Sequence, residues 1–431
     1  MHKYNKLTLL LVLCVTILST LSVSAQQRTY SPLSRYGYGE MQNISYSGYG
    51  AMGHTGIAFQ SAYGINNLNP AANASMDSLS FYFDAGMSYF WQGINSGNEK
   101  AYYSNTVFDY VALGFSITPK ASATAGFKPF SSGGYKYQTI TEYDNTTSVS
   151  NLTGDGNLTE LYLGLSYKIG SNLSIGANVN YIFGTLENMS QATFSDATAQ
   201  KYGSHRKMTV GSVNFDFGAQ YKINIADDKS LIIGATYQPK QGLSGERTLY
   251  QASGETFGDD FNLFSPSGRI DTITYNTGSY DGDEFQIPAK LGLGLSYNIE
   301  EKLKLGFDYE FEQWEDINFS DDYLRNTQRY SVGAEFIPKD RAVNNYLSRI
   351  RYRAGGFYKN EYVSLSGEDL NNYGITFGLG LPLRRSKTMI NLSFEYGQRN
   401  LSGASDYTED YGRITVNFSL HEFWFAKRKL D

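Results

Sequence analysis

From Leu79 to Phe425 the chain alternates apolar and polar residues in runs of roughly ten, the length expected of a strand that crosses a bilayer at a tilt. The clearest run is 303–312, Leu-Lys-Leu-Gly-Phe-Asp-Tyr-Glu-Phe-Glu. Successive side chains of a strand point to opposite faces, so this run predicts one apolar face and one charged face. A soluble β-sandwich shows the same alternation, so the pattern alone does not separate the two folds.

The connections between the runs separate these folds better. We predict fourteen strands, at residues 79–91, 107–118, 121–138, 159–169, 172–187, 206–223, 229–248, 283–299, 302–315, 324–337, 347–359, 373–382, 388–399 and 411–425. Short joints, such as 119–120 and 170–171, alternate with long ones at 139–158, 188–205 and 249–282. This rhythm is typical of an outer-membrane barrel with extracellular loops and periplasmic turns. The predicted fold class is therefore all-β, a transmembrane antiparallel β-barrel.

Composition supports the membrane interpretation. Aromatic residues make up 15% of the chain, with 36 Tyr and 26 Phe, against 18% charged residues, which suits strands with aromatic girdles. The final predicted strand ends in Phe423-Trp424-Phe425, and these rings suit a membrane interface. A net charge of -6 and the absence of a basic stripe argue against nucleic acid as a partner.

The N-terminus predicts export. Lys3 and Lys6 precede an apolar run from residue 7 to 23, and Ser24-Ala25 then offers small residues for cleavage, so residues 1–25 are predicted to be a signal peptide. A retained anchor helix is the alternative, because the run is long enough to span a membrane. The single cysteine, Cys14, lies inside this segment, so the mature chain would contain no disulfide or thiolate site.

A Gly- and Asn-rich stretch precedes the alternating region and fits neither helix nor strand. It runs from Gly48 through Asn69-Pro70-Ala71, and we predict that residues 26–78 form an N-terminal plug, or hatch, inside a barrel of residues 79–431. Gly48-x-Gly50-x-x-Gly53 formally matches a dinucleotide-binding pattern, but no strand precedes it and no helix follows. Backbone with positive φ and close packing inside a barrel explains these glycines better.

Together these features resemble the FadL-type outer-membrane transporters of hydrophobic compounds. The resemblance rests on Asn69-Pro70-Ala71 before the barrel, on the fourteen strands, and on the run 287–294 (Ile-Pro-Ala-Lys-Leu-Gly-Leu-Gly) that opens a mid-barrel strand. It implies a plugged fourteen-stranded barrel, a ligand held in the lumen, and sideways release through a kinked strand. The external loops show no long apolar helical segment, which argues against a fatty acid as the ligand and leaves a smaller hydrophobic compound.

A kink of that kind has a position in this sequence. Residues 128–135, in the third predicted strand, include Pro129, Gly133 and Gly134; proline removes a ladder donor and glycine weakens pairing. A simple bulge is the alternative explanation. Residues Asn69, Pro70, Ala71, Pro129, Gly133 and Gly134 are therefore the predicted ligand path and gate.

The predicted lumen carries charges on neighbouring strands. Strand parity points three groups inward: Asp308, Glu310 and Glu312; Arg329 and Glu335; and Arg349, Arg351 and Arg353. One interpretation is that these charges pair and rigidify a filled barrel, since buried charges must be paired. The other is that they form a polar relay, or an anion-attracting wall, beside the ligand path.

The leading hypothesis is an outer-membrane channel for passive uptake of a small hydrophobic compound, gated by the plug. The alternative is a barrel scaffold that binds secreted or surface proteins, as the PorV-type component of type IX secretion does. We predict no enzyme and no cofactor or metal: His2, His54, His205 and His421 are scattered, and the chain contains no His-Glu-x-x-His or Gly-x-Ser-x-Gly motif. The expected partners are outer-membrane lipid, the ligand and the barrel assembly machinery during biogenesis.

Overall fold

The structure is a computed structural model. It describes residues 27–97, 99–143, 146–196, 198–254, 270–280, 285–300, 302–317, 324–340, 345–365, 367–383, 387–403 and 407–423. The predicted signal peptide and Trp424-Phe425 lie outside these residues.

Twenty strands are present in the described residues. Their bounds are β1 Glu40–Met41, β2 Ser80–Ser96, β3 Glu99–Thr118, β4 Ala121–Ser132, β5 Tyr135–Tyr143, β6 Thr146–Ile169, β7 Leu173–Phe194, β8 Lys201–Ala226, β9 Lys229–Gln238, β10 Gln241–Gly242, β11 Gly245–Gly254, β12 Ile270–Tyr280, β13 Gln286–Ile287, β14 Lys290–Ile299, β15 Leu303–Glu312, β16 Thr327–Phe336, β17 Arg351–Leu365, β18 Glu368–Pro382, β19 Met389–Leu401 and β20 Tyr407–Phe423. Short 3-10 helices cover Pro32–Arg35, Tyr49–Met52, Pro70–Ser75, Trp314–Asp316 and Leu347–Arg349. No described helix is long and apolar enough to cross a membrane.

The barrel wall is a closed antiparallel sheet. Its strands follow the order β2, β3, β4, β6, β7, β8, β9 and β14 to β20, and β20 pairs back onto β2 from Ser80–Phe423 to Ser96–Tyr407. Closure leaves the sheet without a free first or last strand, as a sheet that spans a membrane requires. The predicted fourteen-stranded barrel is therefore confirmed.

The prediction of long external loops was wrong in part. Residues 139–158 and 188–205 lie mostly in β5 to β8, which extend well beyond the wall, and β11 and β12 occupy most of the described part of 249–282. These segments are rich in Thr and also contain Tyr, and such residues fit strands even where no apolar face marks them. The order β5-β6-β7-β8-β11-β12 gives one side of the barrel a projecting six-stranded sheet.

The outer face of the wall is apolar. On β15, Leu305 and Phe307 are 43% and 44% exposed, whereas Asp308, the residue after Phe307, is 2% exposed. Tyr309, Tyr330, Tyr358 and Tyr373 stand opposite one another across β15 to β18 and form one row of aromatic rings. Phe336 and Tyr352 pair near the opposite, short-turn end. Aromatic rings at both ends of an apolar band are expected of the girdles of a membrane barrel.

Candidate functional site

Residues 27–78 precede the barrel and pack against the inner side of its wall, and we call them the plug segment after the role that the sequence predicts for them. Eight successive wall strands, β7 to β9 and β14 to β18, each turn a glycine inward against its backbone or side chains: Gly176, Gly218, Gly234, Gly294, Gly306, Gly333, Gly355 and Gly378. A Cβ atom added at Gly333 would lie 2.5 Å from the Met52 carbonyl oxygen. The small residues therefore let the plug backbone approach the wall to contact distance.

Asn69-Pro70-Ala71 anchors the plug segment at β7 and β8. The Asn69 side chain accepts the N–H of Ala71 at 3.0 Å and so caps the 3-10 helix Pro70–Ser75. Its Nδ2 donates to the Ile57 carbonyl at 2.8 Å, which joins two parts of the plug segment. All three residues are buried. Their predicted role in a ligand path remains a proposal.

The glycine pattern at residues 48–53 has the backbone explanation that the sequence favoured. Gly48 and Gly53 flank the 3-10 helix Tyr49–Met52 with φ of +96° and +65°, in the left-handed region. A side chain at Gly48 would also meet the Arg353 guanidinium. Burial raises the pKa of the Tyr49 phenol, and the nearby Glu335 carboxylate adds to the shift, so this hydroxyl stays neutral.

Asp308 connects the wall to the plug backbone. One carboxylate oxygen accepts the N–H groups of Gly56 and Ile57 at 2.6 and 2.9 Å. A buried carboxylate that receives two backbone donors is partly compensated for the loss of water. The sequence suggested that Asp308 pairs with a basic strand. In the structure it binds the backbone of the plug segment instead.

Glu310 and Glu312 lie in ion pairs with basic residues of the two flanking strands. Lys290 on β14 contacts Glu310 at 2.5 Å and Glu312 at 3.3 Å. Arg329 on β16 contacts Glu310 at 2.8 Å and donates to the Gly53 carbonyl at 2.9 Å. The structure thus brings Glu310, Glu312 and Arg329 together. Through Arg329 these ion pairs are connected to the backbone of the plug segment.

Glu335 is the centre of the second charge cluster. Arg353 contacts it at 2.8 Å, Arg351 at 3.1 Å and Lys304 at 3.6 Å. Arg353 also donates to the Asn391 side chain at 2.6 Å. Three cations around one buried carboxylate connect the neighbouring strands β15, β16 and β17, and Arg353 extends the contact across β18 to β19. Such an arrangement is stable only while every member is present.

The inward prediction for Arg349 was wrong. It lies in the 3-10 helix Leu347–Arg349, before β17 begins at Arg351, and no ion pair with the cluster is found for it in the described residues. The next residue, Ile350, which strand parity would place on the outer face, is buried. The prediction began the strand N-terminal to its true start at Arg351, and strand parity does not apply to residues that precede the strand.

Lys290 and Lys304 are cluster members that the sequence prediction did not name. Both occur on the polar parity of their strands: Lys304 shares the face of Asp308, and Lys290 opens β14 at the level of Glu312. Counting every charge of that parity, in place of only the acidic and arginine runs, would have included them. Asn391, which holds Arg353, carries no comparable signal.

The wall is interrupted where Pro129, Gly133 and Gly134 occur. The register of β4 against β6 shifts between Pro129 and Ser131, and β4 gives way to β5 at Gly133-Gly134. β3 pairs with β4 only between Val111–Phe127 and Thr118–Ala121, and no pairing joins the described residues 99–110 of β3 to β4 or β5. This leaves a lateral gap in the half of the wall away from the short turns, which we call the seam.

The N-terminal part of the plug segment occupies the seam. β1 pairs with the inner end of β4, Met41 opposite Ser131. Ser34 Oγ accepts the Gly134 N–H at 3.0 Å. On the β3 side, Asn105 Nδ2 donates to the Gln27 carbonyl at 3.0 Å, and the rings of Tyr30 and Tyr103 stack 4.5 Å apart. Residues 27–41 therefore bridge both borders of the gap.

Buried charges hold this segment further. Arg28 pairs with Asp109 of β3 at 3.2 Å, and burial lowers the pKa of its guanidinium while the Asp109 carboxylate opposes that shift. Arg399 of β19 pairs with Glu40 of the plug and, at 3.2 Å, with Glu409 of β20. The segment is thus tied to strands on both sides of the barrel closure.

A cavity of about 190 Å³ lies between plug residues 41–44 and the wall. Pro129 and Phe130 at the seam, Pro70 of the plug segment and Trp314 are among its lining residues. Charged side chains line it as well, namely Lys128, Glu160, Asp216, Lys290, Glu310, Glu312, Arg329 and Lys359. Of the predicted path residues, Pro70 and Pro129 reach the cavity, whereas Gly133 and Gly134 lie at the seam.

Apolar clusters lie around this polar cavity. One joins Tyr38 of the plug segment with Leu243, Phe285, Trp314 and Tyr362. Two others pack Tyr46 and Ile65 against wall residues, and Tyr49 against Phe59. Burial raises the pKa of the Tyr38 and Tyr46 phenols well above their usual value, so both remain neutral within these clusters.

Ser45, His54 and Glu395 form a buried hydrogen-bonded row that the sequence did not predict. His54 Nδ1 lies 2.8 Å from Ser45 Oγ and its Nε2 3.0 Å from a Glu395 oxygen. The adjoining cavity measures about 20 Å³, room for roughly one water. A substrate does not fit there, so the row fastens plug to wall. His421, another of the scattered histidines, packs edge-on against Tyr82 and Phe423.

No group of three or more His, Cys, Asp or Glu side chains in the described part of the chain is arranged to hold a metal ion.

Comparison with solved structures places the fold. The barrel is similar to the CymD monoaromatic hydrocarbon channel, with 14% identity, a TM-score of 0.57, and 87% of this chain and 97% of that chain covered. It is also similar to the Ralstonia pickettii toluene transporter TbuX, with 15% identity, a TM-score of 0.55, and 86% and 97% covered. A Pseudomonas aeruginosa FadL homologue aligns with 15% identity, a TM-score of 0.57, and 89% and 99% covered. These likenesses establish the predicted FadL-type fold.

Comparisons of sequence give the family. No curated protein matches the chain. The family model described as BamG matches residues 6–431, nearly the whole chain. The chain belongs to the BamG family.

Proposed function

We propose that the protein is an outer-membrane channel for passive uptake of a small compound, and that the structure describes its closed state. The observation that carries the proposal is the position of the 190 Å³ cavity, which touches Pro129 and Phe130 beside the seam. A gap in the wall next to an internal cavity offers a sideways route that avoids the sealed barrel axis. The related folds named as hydrocarbon channels support a hydrophobic compound as the first ligand class to test.

The plug segment is the gate in this proposal. Ser34 at Gly134 and β1 at Ser131 close the seam directly. Residues 51–59, by contrast, are pressed against the glycines of the wall and bound by Asp308. Opening therefore involves residues 27–41, while the remainder of the plug segment stays in place. Movement of so few residues costs less buried contact than expulsion of the whole plug.

The test is uptake of labelled toluene by intact cells that express either the full chain or a variant lacking residues 27–41. Cells with an undisturbed outer leaflet are needed because toluene crosses simple lipid bilayers unaided. The channel proposal expects faster uptake by the variant than by the full chain. A variant that folds, as judged by a heat-modifiable gel shift, but leaves uptake at the level of cells without the protein contradicts it.

A protein-binding scaffold is the second candidate, and the exposure of β5 favours it. Among the described residues β5 pairs only with β6, and seven of its side chains, Lys136 and Gln138 to Tyr143, are exposed. A free strand edge of this kind can take up an extended segment of another protein. The family name, BamG, is in keeping with a link to barrel assembly.

The scaffold candidate predicts a stoichiometric protein partner in native membranes. Tyr143 and Thr146 flank a two-residue connection and form a hydrogen-bonded pair, so the N–H of Ile140 points away from β6. Ile140→Pro removes this outward donor without removing a ladder bond. Loss of a co-purifying protein from Ile140→Pro, with toluene uptake unchanged, supports the scaffold; co-purification at the same ratio contradicts it.

A further inference from the structure

Four polar residues form a patch on the lumen face of β7 and β8. Asn178 stands opposite Asp216, and Asn180 stands opposite Asn214, in the cross-strand register. Asn178 and Asp216 line the 190 Å³ cavity, and the other two lie next to them. The structure therefore concentrates four oxygen-bearing side chains at one side of the cavity.

Three of these side chains are incompletely satisfied. The Oδ1 atoms of Asn178, Asn180 and Asn214 have no hydrogen-bond donor among the described residues. All three residues are buried, with only 8%, 1% and 2% exposure. The orientation of Asn180 is fixed, because its Nδ2 donates to Asp216 at 2.7 Å. A buried acceptor without a donor is costly. The patch therefore lacks a donor that the described chain does not supply.

The charge balance of the patch points to a cation. Asp216 makes no ion pair with the described residues, and the nearby Glu160 carboxylate repels it. Glu160 pairs with Lys128 at 3.3 Å. Lys290, the other cation that acts on Glu160, is already engaged by Glu310 and Glu312. Asp216, the single carboxylate of the patch, therefore has no counter-charge among the described residues.

A protonated amine meets these requirements. It carries one positive charge and three donors and accepts nothing, which matches amide oxygens grouped around a carboxylate. The described residues contain no acid-rich cluster typical of a metal site. The cavity is also several times larger than an ion, and the Trp314 and Phe130 rings and Leu68 give it apolar surfaces.

We propose that the cavity binds a small organic molecule with a protonated amino group, held by the Asp216 carboxylate and the Asn178 amide oxygen, the two residues of the patch that line the cavity. A short apolar body then packs against Trp314 and Phe130. This inference rests on the proposed channel and narrows its ligand class from hydrophobic compounds in general to small amphiphilic amines.

The test is calorimetric titration of the purified full chain in detergent at neutral pH with benzylamine, and with benzyl alcohol as the uncharged counterpart. The amine is expected to bind saturably and the alcohol at least tenfold more weakly. Asp216→Asn is expected to weaken amine binding roughly 10- to 100-fold, as loss of a charge-assisted hydrogen bond predicts. Asp369→Asn, on an exposed aspartate of β18, is the matched control and leaves binding unchanged.

Asn214→Asp tests the same site by gain. A second carboxylate in the patch is expected to tighten benzylamine binding, a result that loss of folding cannot imitate. Equal affinity for benzylamine and benzyl alcohol overturns the proposal, and so does unchanged amine binding by both Asp216→Asn and Asn214→Asp. A third outcome is that sodium or calcium chloride alone releases heat, that Asp216→Asn abolishes this heat, and that benzylamine releases none. This result would show an inorganic cation site and also overturns the proposal. Benzylamine binding without toluene or benzylamine uptake by intact cells contradicts the channel and leaves the amine site standing.

Discussion

Asp308 of the wall accepts the backbone N–H of Gly56 of the plug segment at 2.6 Å, and the same oxygen accepts the next N–H, from Ile57. The carboxylate is almost fully buried. A charge that sequence parity places in the lumen is therefore used to bind plug backbone. The same holds for Arg329, which donates to the Gly53 carbonyl. Wall charges and plug backbone form one network.

Asp308→Leu is expected to loosen the middle of the plug segment. The substitution leaves two buried N–H groups without an acceptor, at a cost of about 1–3 kcal/mol each. Hydrogen exchange at residues 56–57 should accelerate, and the heat-modifiable unfolding temperature should fall. Asp308→Asn keeps an acceptor in place and should lose far less. Equal exchange in both variants would show that the carboxylate does not hold the plug.

Glu335→Gln is expected to be among the most destabilising single substitutions in the wall. It leaves Arg351, Arg353 and Lys304 facing one another, and removal of one member of such a buried cluster costs about 3–5 kcal/mol. Denaturant unfolding in detergent measures the loss. Adding Arg353→Met should recover part of it, so the two effects should not sum.

The matched control for this cluster is an exposed ion pair. Glu187→Gln breaks the pair with Lys207 at 3.1 Å, in which both side chains are more open to solvent. Its cost should stay below about 1 kcal/mol. A comparable loss in Glu187→Gln and Glu335→Gln would contradict the importance given to the buried cluster.

Gly333→Ala is expected to push the plug segment off the wall. The new methyl group would lie 2.5 Å from the Met52 carbonyl oxygen, and overpacking of this kind costs typically about 1–3 kcal/mol. Limited proteolysis should cut the plug segment faster, while the barrel remains intact. Gly278→Ala, whose methyl group would meet nothing within 4 Å, is the control and should behave like the natural chain.

Ser34→Ala is expected to loosen the seam alone. The Gly134 N–H loses its acceptor, so hydrogen exchange at residues 133–135 should become on the order of tenfold faster. Ser116→Ala, which removes a hydroxyl near the short turn between β3 and β4, should leave that exchange unchanged. No difference between the two variants would place the closure of the seam elsewhere.

The sequence predicted the wall well because each strand repeats a local rule. The alternating run 303–312 has the same bounds as β15. Pro129, Gly133 and Gly134 predicted the break in the third wall strand, β4. Parity failed at Arg349, where the chain had not yet entered the strand. It also failed to predict the projecting parts of β5 to β8, because water on both faces leaves no apolar period to detect.

The contacts between plug and wall could not be predicted in the same way. Gly56 and Asp308 are 252 residues apart, and Ser34 and Gly134 are 100 apart. The plug segment has no period that would fix which of its residues meets which strand. Strand parity places a side chain in the lumen, but its partner there depends on the path of an irregular chain. The unsatisfied asparagines of β7 and β8 likewise appear only when every neighbour is known.

The most direct test of the closed-channel account is a reversible covalent lock across the seam. Met41 and Ser131 face each other between β1 and β4, at a spacing that permits a disulfide, and the only natural cysteine is Cys14 in the predicted signal peptide. In Met41→Cys/Ser131→Cys, oxidation should reduce toluene uptake by intact cells to the level of cells without the protein, and reduction should restore it, whereas neither single-cysteine variant should respond. Uptake that continues unchanged after the disulfide has formed would contradict the account.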